Sequence, residues 1–380
     1  MIKPVSFNAL AFVLSLFCGT DAVKAASRPY VAPAPRVAPI THYTIIDLGT
    51  LGGKTSSATA LNDFGAVVGQ AETARGAKHA FLWHRDKMHD LGGLGGNSAA
   101  AGINNQGEVV GQADLNPYKE RGHAVLWWHE RVIDLTDWPD STGTFHPNHF
   151  ERESSGAVAI NNHGQIVGTI YVAPILWKHG RLRPLGMIRD LYQEAGNWEA
   201  CDPVAINNRG QVLGSGGTSL TDATFLWEKG KGRNLGRFGV PTDNSAGVTD
   251  LFGINDNEQV VGQIDFQAFI WHPGHLHWLA QLPGWNDSEA HGINKDGEVV
   301  GYVSHSLATG EEPTRAVVWH GTKVYNLSRL ILPGSGWVLS NATAINVRGQ
   351  IVGVGKHWGH THAFLLTPKQ HDPRITRSRA

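Results

Sequence analysis

The sequence predicts an all-β fold, a seven-bladed β-propeller of four-stranded antiparallel blades. Three observations predict it. One unit of roughly 45 residues recurs along the chain. Every full unit holds four short apolar runs separated by turn residues. The last unit lacks its fourth run, and a matching run stands alone near the N-terminus.

The first phrase of the unit appears seven times, as ALNDFGAVVGQ near Leu61, GINNQGEVVGQ near Ile103, AINNHGQIVGT near Ile160, AINNRGQVLGS near Ile206, GINDNEQVVGQ near Ile254, GINKDGEVVGY near Ile293 and AINVRGQIVGV near Ile345. Its first asparagine is present every time (Asn62, Asn104, Asn161, Asn207, Asn255, Asn294, Asn346), at spacings of 39 to 57 residues. A glycine closes each phrase, from Gly69 to Gly353. The second phrase ends in tryptophan in six of seven units, at Trp83, Trp127, Trp177, Trp227, Trp271 and Trp319, with Leu366 in the last. The third centres on leucine, as in DLG at Asp90 and DLT at Asp134.

Runs of 4 to 6 residues rich in β-branched side chains are strands rather than helices. The INNxG segment reads as a hairpin whose asparagines and glycine tolerate positive φ. Four antiparallel strands at this period make a propeller blade. After Phe364-Leu365-Leu366 the seventh unit has no fourth run, whereas YTIIDLG (Tyr43 to Gly49) is a fourth run without a unit. The N-terminal strand, about residues 43–48, is therefore expected to complete the last blade and close the ring, because an open ring would leave unpaired edges.

Around this array the boundaries are residues 1–25, a signal peptide; 26–41, a proline-rich leader; 42–367, the propeller; and 368–380, a disordered basic tail. Lys3 and the apolar run from Val5 to Phe17 supply the signal, with a cut after Val23-Lys24-Ala25. The run is too short to span a bilayer, so no transmembrane segment is expected. Bulky Phe17 argues against lipidation of Cys18. Cleavage leaves Cys201 alone and no intrachain disulfide. The expected location is secreted or periplasmic. Formal net charge is −1, which gives no reason to expect nucleic acid as a partner.

These phrases resemble the HAF-repeat family of probable extracellular bacterial proteins, named for the triplet seen at His79-Ala80-Phe81 and His362-Ala363-Phe364. The resemblance covers about residues 43 to 366. It implies export and repetition, and carries no catalytic residues over.

Recurrence separates scaffold from site. A residue present in every blade does one structural job seven times. The asparagines are expected to bond backbone at the hairpin, and the tryptophans to fill the space between blades. With strands labelled A to D from the axis outward, the A–B and C–D turns are uniform and the D–A and B–C connections irregular. Both irregular sets lie on one face, where binding residues are expected. That face carries Trp138, Trp198, Trp285 and Trp337, with Glu199, Asp202 and Asp287 beside them. Tryptophan next to carboxylates suits stacking on a sugar while bonding its hydroxyls. The plainer reading is that these rings pin long loops to the disc. Trp198 and Trp285 are expected to share a depression with Glu199, Asp202 and Asp287.

Three histidine clusters, HPNH (His146, His149), HPGHLH (His272, His275, His277) and HWGHTH (His357, His360, His362), have spacings a metal could use. No metal and no cofactor is expected, since turn histidines are usually solvated. HPNH and HWGHTH, on the irregular face, are the better candidates. The expected function is an exported recognition module, a monomer, binding a glycan, a cell-wall fragment or a protein. The alternative is a glycoside hydrolase or lyase using a carboxylate pair at the channel mouth, drawn from Asp140, Glu151, Glu199, Asp202, Asp243, Asp250, Asp287 and Glu289.

Overall fold

The computed structural model describes residues 42–116, 119–137, 154–170, 173–185, 201–218, 221–236, 238, 249–305 and 313–369. The signal and leader, most of the tail, Trp138, the HPNH cluster, Trp198 and Glu199 lie outside them.

Strand β1 (Tyr43–Asp47) comes first. Blade 1 is β2 (Gly52–Leu61), β3 (Val67–Thr73), β4 (Lys78–His84) and β5 (Lys87–Gly92). Blade 2 is β6 (Ser98–Ile103), β7 (Val109–Asn116), β8 (Lys119–Trp128) and β9 (Arg131–Asp134). Blade 3 is β10 (Ser155–Ile160), β11 (Ile166–Ile170), β12 (Ala173–Lys178) and β13 (Arg181–Pro184). Blade 4 is β14 (Cys201–Ile206), β15 (Val212–Thr218), β16 (Thr221–Glu228) and β17 (Lys231–Asn234). Blade 5 is β18 (Thr249–Ile254), β19 (Val260–Ile264), β20 (Gln267–His272) and β21 (His275–Trp278). Blade 6 is β22 (Asp287–Ile293), β23 (Val299–Ser304), β24 (Thr314–His320) and β25 (Lys323–Asn326). Blade 7 is β26 (Trp337–Ile345), β27 (Ile351–His357), β28 (His360–Pro368) and, as its fourth strand, β1.

Each blade is an antiparallel meander. β1 pairs with β28 from Tyr43↔Pro368 to Asp47↔Phe364, so the N-terminal strand closes the ring as expected. The first strands of successive blades touch all the way round, β26 meeting β2. The result is a seven-bladed β-propeller.

Apolar packing is distributed between blades. Seven buried clusters each join two neighbouring blades; one sets Leu126 and Leu135 of blade 2 against Ile166 and Trp177 of blade 3. A sheet with two apolar faces needs a partner on both, and only a closed ring gives every blade two. The indole N–H of Trp177 donates to the Leu135 carbonyl at 3.0 Å, and that of Trp319 to Ala280 at 2.7 Å.

The recurrent asparagine does more than brace its hairpin. Its Oδ1 accepts from the backbone N–H two and four residues on, as Asn161 does from His163 and Gln165, both 3.0 Å. Its Nδ2 donates across the interface to the carbonyl of the next blade's asparagine. Asn62 reaches Asn104, and the chain of bonds runs through Asn161, Asn207, Asn255, Asn294 and Asn346 back to Asn62, at 2.9 to 3.3 Å. All seven are buried. The left-handed residue of the turn is the glycine, such as Gly65 (φ 84), or Glu258 (φ 60) in blade 5, and none of these asparagines has positive φ. The expectation that they serve as left-handed turn residues is thus corrected: their value is an amide that accepts and donates at once, and in six of the seven the second N–H also donates, to the Glu or Gln side chain four residues on.

The glycine ending the phrase has an equally local cause. Every A–B pair carries a register shift, between Ala157 and Ala159 in blade 3 for example. The bulge turns a carbonyl into the neighbouring strand, and a Cβ on Gly168 would lie 1.9 Å from the Gly156 oxygen. Only glycine fits there.

Candidate functional site

The B–C and D–A connections share one face, where a His–Asp pair recurs. His79 Nδ1 lies 2.9 Å from Asp90, His123 Nδ1 2.7 Å from Asp134, and His362 Nδ1 3.0 Å from Asp47. The histidine is that of His-Ala-Phe or His-Ala-Val on strand C, and the aspartate that of the DL phrase on strand D. Blades 7, 1 and 2, consecutive around the ring, hold the pairs. The corresponding positions in blades 3 to 6 are Ala173 and Pro184, Ala223 and Asn234, Gln267 and Trp278, and Arg315 and Asn326. Aspartate occurs only where histidine faces it.

The acid's first duty is the turn that follows. Asp47 accepts from the Gly49 N–H at 2.9 Å and Asp134 from Thr136 at 2.9 Å, while Asn234 and Asn326 cap the same turn as amides. A half-buried carboxylate carries a charge that an amide does not, and the imidazole answers it. Partial burial pushes the Asp47 carboxyl up, but hydrogen bonds from His362, Gly49 and His357 outweigh it and hold the group below its ordinary range. Asp134 is likewise raised by burial and lowered further by His123 and Thr136, ending below its ordinary range.

Blade 7 departs from the pattern. His357, at the end of β27, places a second Nδ1 2.7 Å from the Asp47 carboxylate. Trp337 stacks on it, ring centroids 4.5 Å apart and planes 4° from parallel. Trp337 was expected in a D–A connection as a ligand-binding ring. It is instead the first residue of β26 and is 8% exposed, because β26 runs on to pair Trp337 with His357 and seats the indole in the core beside Phe364.

The next residue was missed. Trp358, at φ 48 in the two-residue turn between β27 and β28, is 72% exposed. Its backbone N–H donates to the Gly336 carbonyl at 3.2 Å, and a Cβ on Gly336 would fall 2.4 Å from the indole. One side of the ring is therefore backed by bare backbone. Exposed His360 adjoins it, and Leu332 and Val338, also exposed, flank Gly336 in the chain. The signal was present in the sequence: a bulky ring at a left-handed turn position serves no need of the turn.

Trp285 is half-buried, with the Arg315 guanidinium 5.6 Å from its ring centroid. Its neighbour Asn286 meets His305 Nδ1 at 2.6 Å, and Asp287 opens β22 opposite Ser304. Asp202 is exposed on β14 in blade 4, with blade 5 between it and Asp287. Trp285 and Asp287 are thus brought together by the chain, while the Trp198 and Glu199 half of the expected depression is outside the described residues.

Farther in, Glu289 meets His291 at 3.0 Å and accepts from the Tyr302 hydroxyl at 2.5 Å, and Asp250 accepts from Gln263 at 2.6 Å. Burial raises the Glu289 carboxyl, and His291 and Tyr302 more than reverse it. A glycosidase acid needs the opposite shift.

Cavities open on the uniform face among the described residues. One of about 280 Å³ is ringed by the asparagine turns, and one of about 410 Å³ lies among turns of blades 2 and 3. His275 and His277 of HPGHLH are exposed in a C–D hairpin there. No helix among the described residues is long and apolar enough to cross a membrane.

No family model matches the chain, and no curated protein matches it. Among solved structures, a puromycin-hydrolyzing peptidase of Mycobacterium tuberculosis aligns with a TM-score of 0.50 at 13% identity, over 80% of this chain and 49% of that one. The extracellular domain of a putative one-component system from B. thetaiotaomicron gives 0.49 at 11% identity, over 86% and 40%. The β-propeller domain of the Trilobed protease from Pyrococcus furiosus gives 0.47 at 11% identity, over 87% and 95%. The chain spans less than half the length of the first two. Likeness at such identities speaks to architecture alone, and the chain's own ring of seven four-stranded sheets makes it a β-propeller.

Proposed function

We propose that this chain is an exported recognition module that binds a glycan or cell-wall fragment on its irregular face. The observation that carries this reading is Trp358, a ring exposed at 72% and backed by Gly336, beside a cluster of imidazole and carboxylate groups. An aromatic platform next to hydrogen-bonding groups is the chemistry that holds a sugar ring. Trp285 with Asp287, and Asp202, supply further groups on the same face. Trp138, Trp198 and Glu199 belong to the same connections and to the same reading. Export rests on the N-terminal signal pattern and on the resemblance of the phrases to the HAF-repeat family. A glycan-array screen of the secreted chain tests the reading. Reproducible binding to one saccharide class is expected, and silence across plant, bacterial and host glycans counts against it.

A further inference from the structure

We propose that Asp47, His357 and His362 form a site for a divalent transition-metal ion, zinc above all, that straddles the ring closure. The site goes beyond the glycan reading and does not depend on it. Its three donors come from three strands: Asp47 from the N-terminal β1, His357 from the end of β27 and His362 from β28. One carboxylate oxygen and one nitrogen from each imidazole lie within 4.8 Å of one another.

The repeat supplies its own control. Blades 1 and 2 satisfy their turn aspartate with a single histidine, and His362 does the same in blade 7. His357 is surplus to that task. By register its counterparts are Thr73 in blade 1 and Leu115 in blade 2, neither a metal ligand. A second imidazole on an already paired carboxylate adds little to turn capping, yet it completes a three-residue ligand set.

The donor set is borderline-soft: two imidazoles and one carboxylate suit zinc, nickel or cobalt, whereas calcium and magnesium prefer oxygen alone. Zinc bonds of about 2.0–2.2 Å in a tetrahedral shell put neighbouring ligand atoms about 3.3 Å apart. The present N···O separations of 2.7 and 3.0 Å must therefore open by a few tenths of an ångström. All three side chains are between a fifth and a third exposed, which leaves room for that movement and for a solvent-facing fourth position. Outer contacts already orient the ligands: Trp337 fixes the plane of His357 by stacking, and the Gly49 N–H holds one Asp47 oxygen.

An ion here ties the first strand of the propeller to the last two, so occupancy raises the stability of the closed ring by mass action. The test uses the tag-free chain, stripped with a chelator and titrated with zinc chloride. One ion per chain is expected, with a rise in melting temperature that the chelator reverses. His357→Gln should weaken zinc binding at least tenfold while its metal-free melting stays close to wild type. Asp47→Asn, which preserves the turn cap but not the charge, should weaken zinc binding likewise, at some cost in metal-free melting, and His79→Gln in blade 1 should leave zinc binding unchanged. Absence of stoichiometric uptake, or full zinc response in both His357→Gln and Asp47→Asn, overturns the proposal.

Discussion

The side-chain amide of Asn346 donates to the backbone carbonyl of Asn62, 3.0 Å away and 284 residues apart in the chain. This bond closes a loop of seven such donations, each from a residue that also holds its own hairpin. Every link is buried, so losing one strips two hairpin N–H groups of their acceptor and takes one of two donors from the next blade's carbonyl. Asn161→Ala should destabilise the fold by ~1–3 kcal/mol in urea denaturation. Ligand binding by the folded fraction should be unchanged. A stable Asn161→Ala protein that has lost binding would turn the asparagines from scaffold into ligands.

The clasp carries comparable weight. β1 contributes its ladder to β28 and buries Tyr43, and Leu48 follows it into the interface with blade 1. At ~0.5–1.5 kcal/mol net per hydrogen bond plus the apolar area, deleting residues 1–49 should cost several kcal/mol. Thermal melting that moves by only a degree or two would refute closure by this strand.

Close approach at the bulge makes Gly168 sensitive. A methyl there meets the Gly156 oxygen at 1.9 Å, and backbone cannot yield as a side chain can. Gly168→Ala should cost ~2 kcal/mol or more, whereas Gly76→Ala, whose Cβ meets nothing within 4 Å, pays only for its positive φ. Equal melting of the two variants would remove the bulge as the reason for the repeated glycine.

The His123–Asp134 pair sets a pH dependence. The folded Asp134 carboxyl sits below its unfolded value of 3.8, so its contribution is fully present above that value. It is lost as pH falls through the lower folded value. Asp134→Asn keeps the turn cap but not the charge, and should cost ~1–2 kcal/mol near neutral pH. The gap between the two proteins should narrow at the acid end of the range, read from urea midpoints. A constant gap would mean that the pair contributes nothing by its charge.

The sequence made the blade count and the clasp legible because both are written in local phrases: INNxG seven times, and YTIIDLG out of place at the start. It hid the asparagine ring, since six of the bonds join residues 39 to 57 positions apart and the seventh spans 284, joining the last blade to the first. The His–Asp pairs were half visible. His79 and Asp90, like His123 and Asp134, stand 11 residues apart, but the third pair is split across the closure, 315 residues apart. Trp337 was misplaced because β26 begins earlier than the first strands of blades 2 to 6, turning a connection residue into a core one. Trp358 stands within HWGHTH, and only its left-handed turn position, set by the tertiary fold, turns the ring to solvent.

Two exposed aromatic rings on opposite faces distinguish the two surfaces on which a saccharide could bind. Trp358 is 72% exposed on the irregular face and Phe64 64% exposed in an A–B turn of the uniform one. Neither packs in a core cluster, so alanine at either position should leave melting nearly unchanged. Calorimetric titration with the best saccharide from the array should then give a Kd at least tenfold weaker for Trp358→Ala, ~1.4 kcal/mol. Phe64→Ala should match wild type. Loss of affinity on Phe64→Ala with none on Trp358→Ala would place binding on the uniform face and contradict the account.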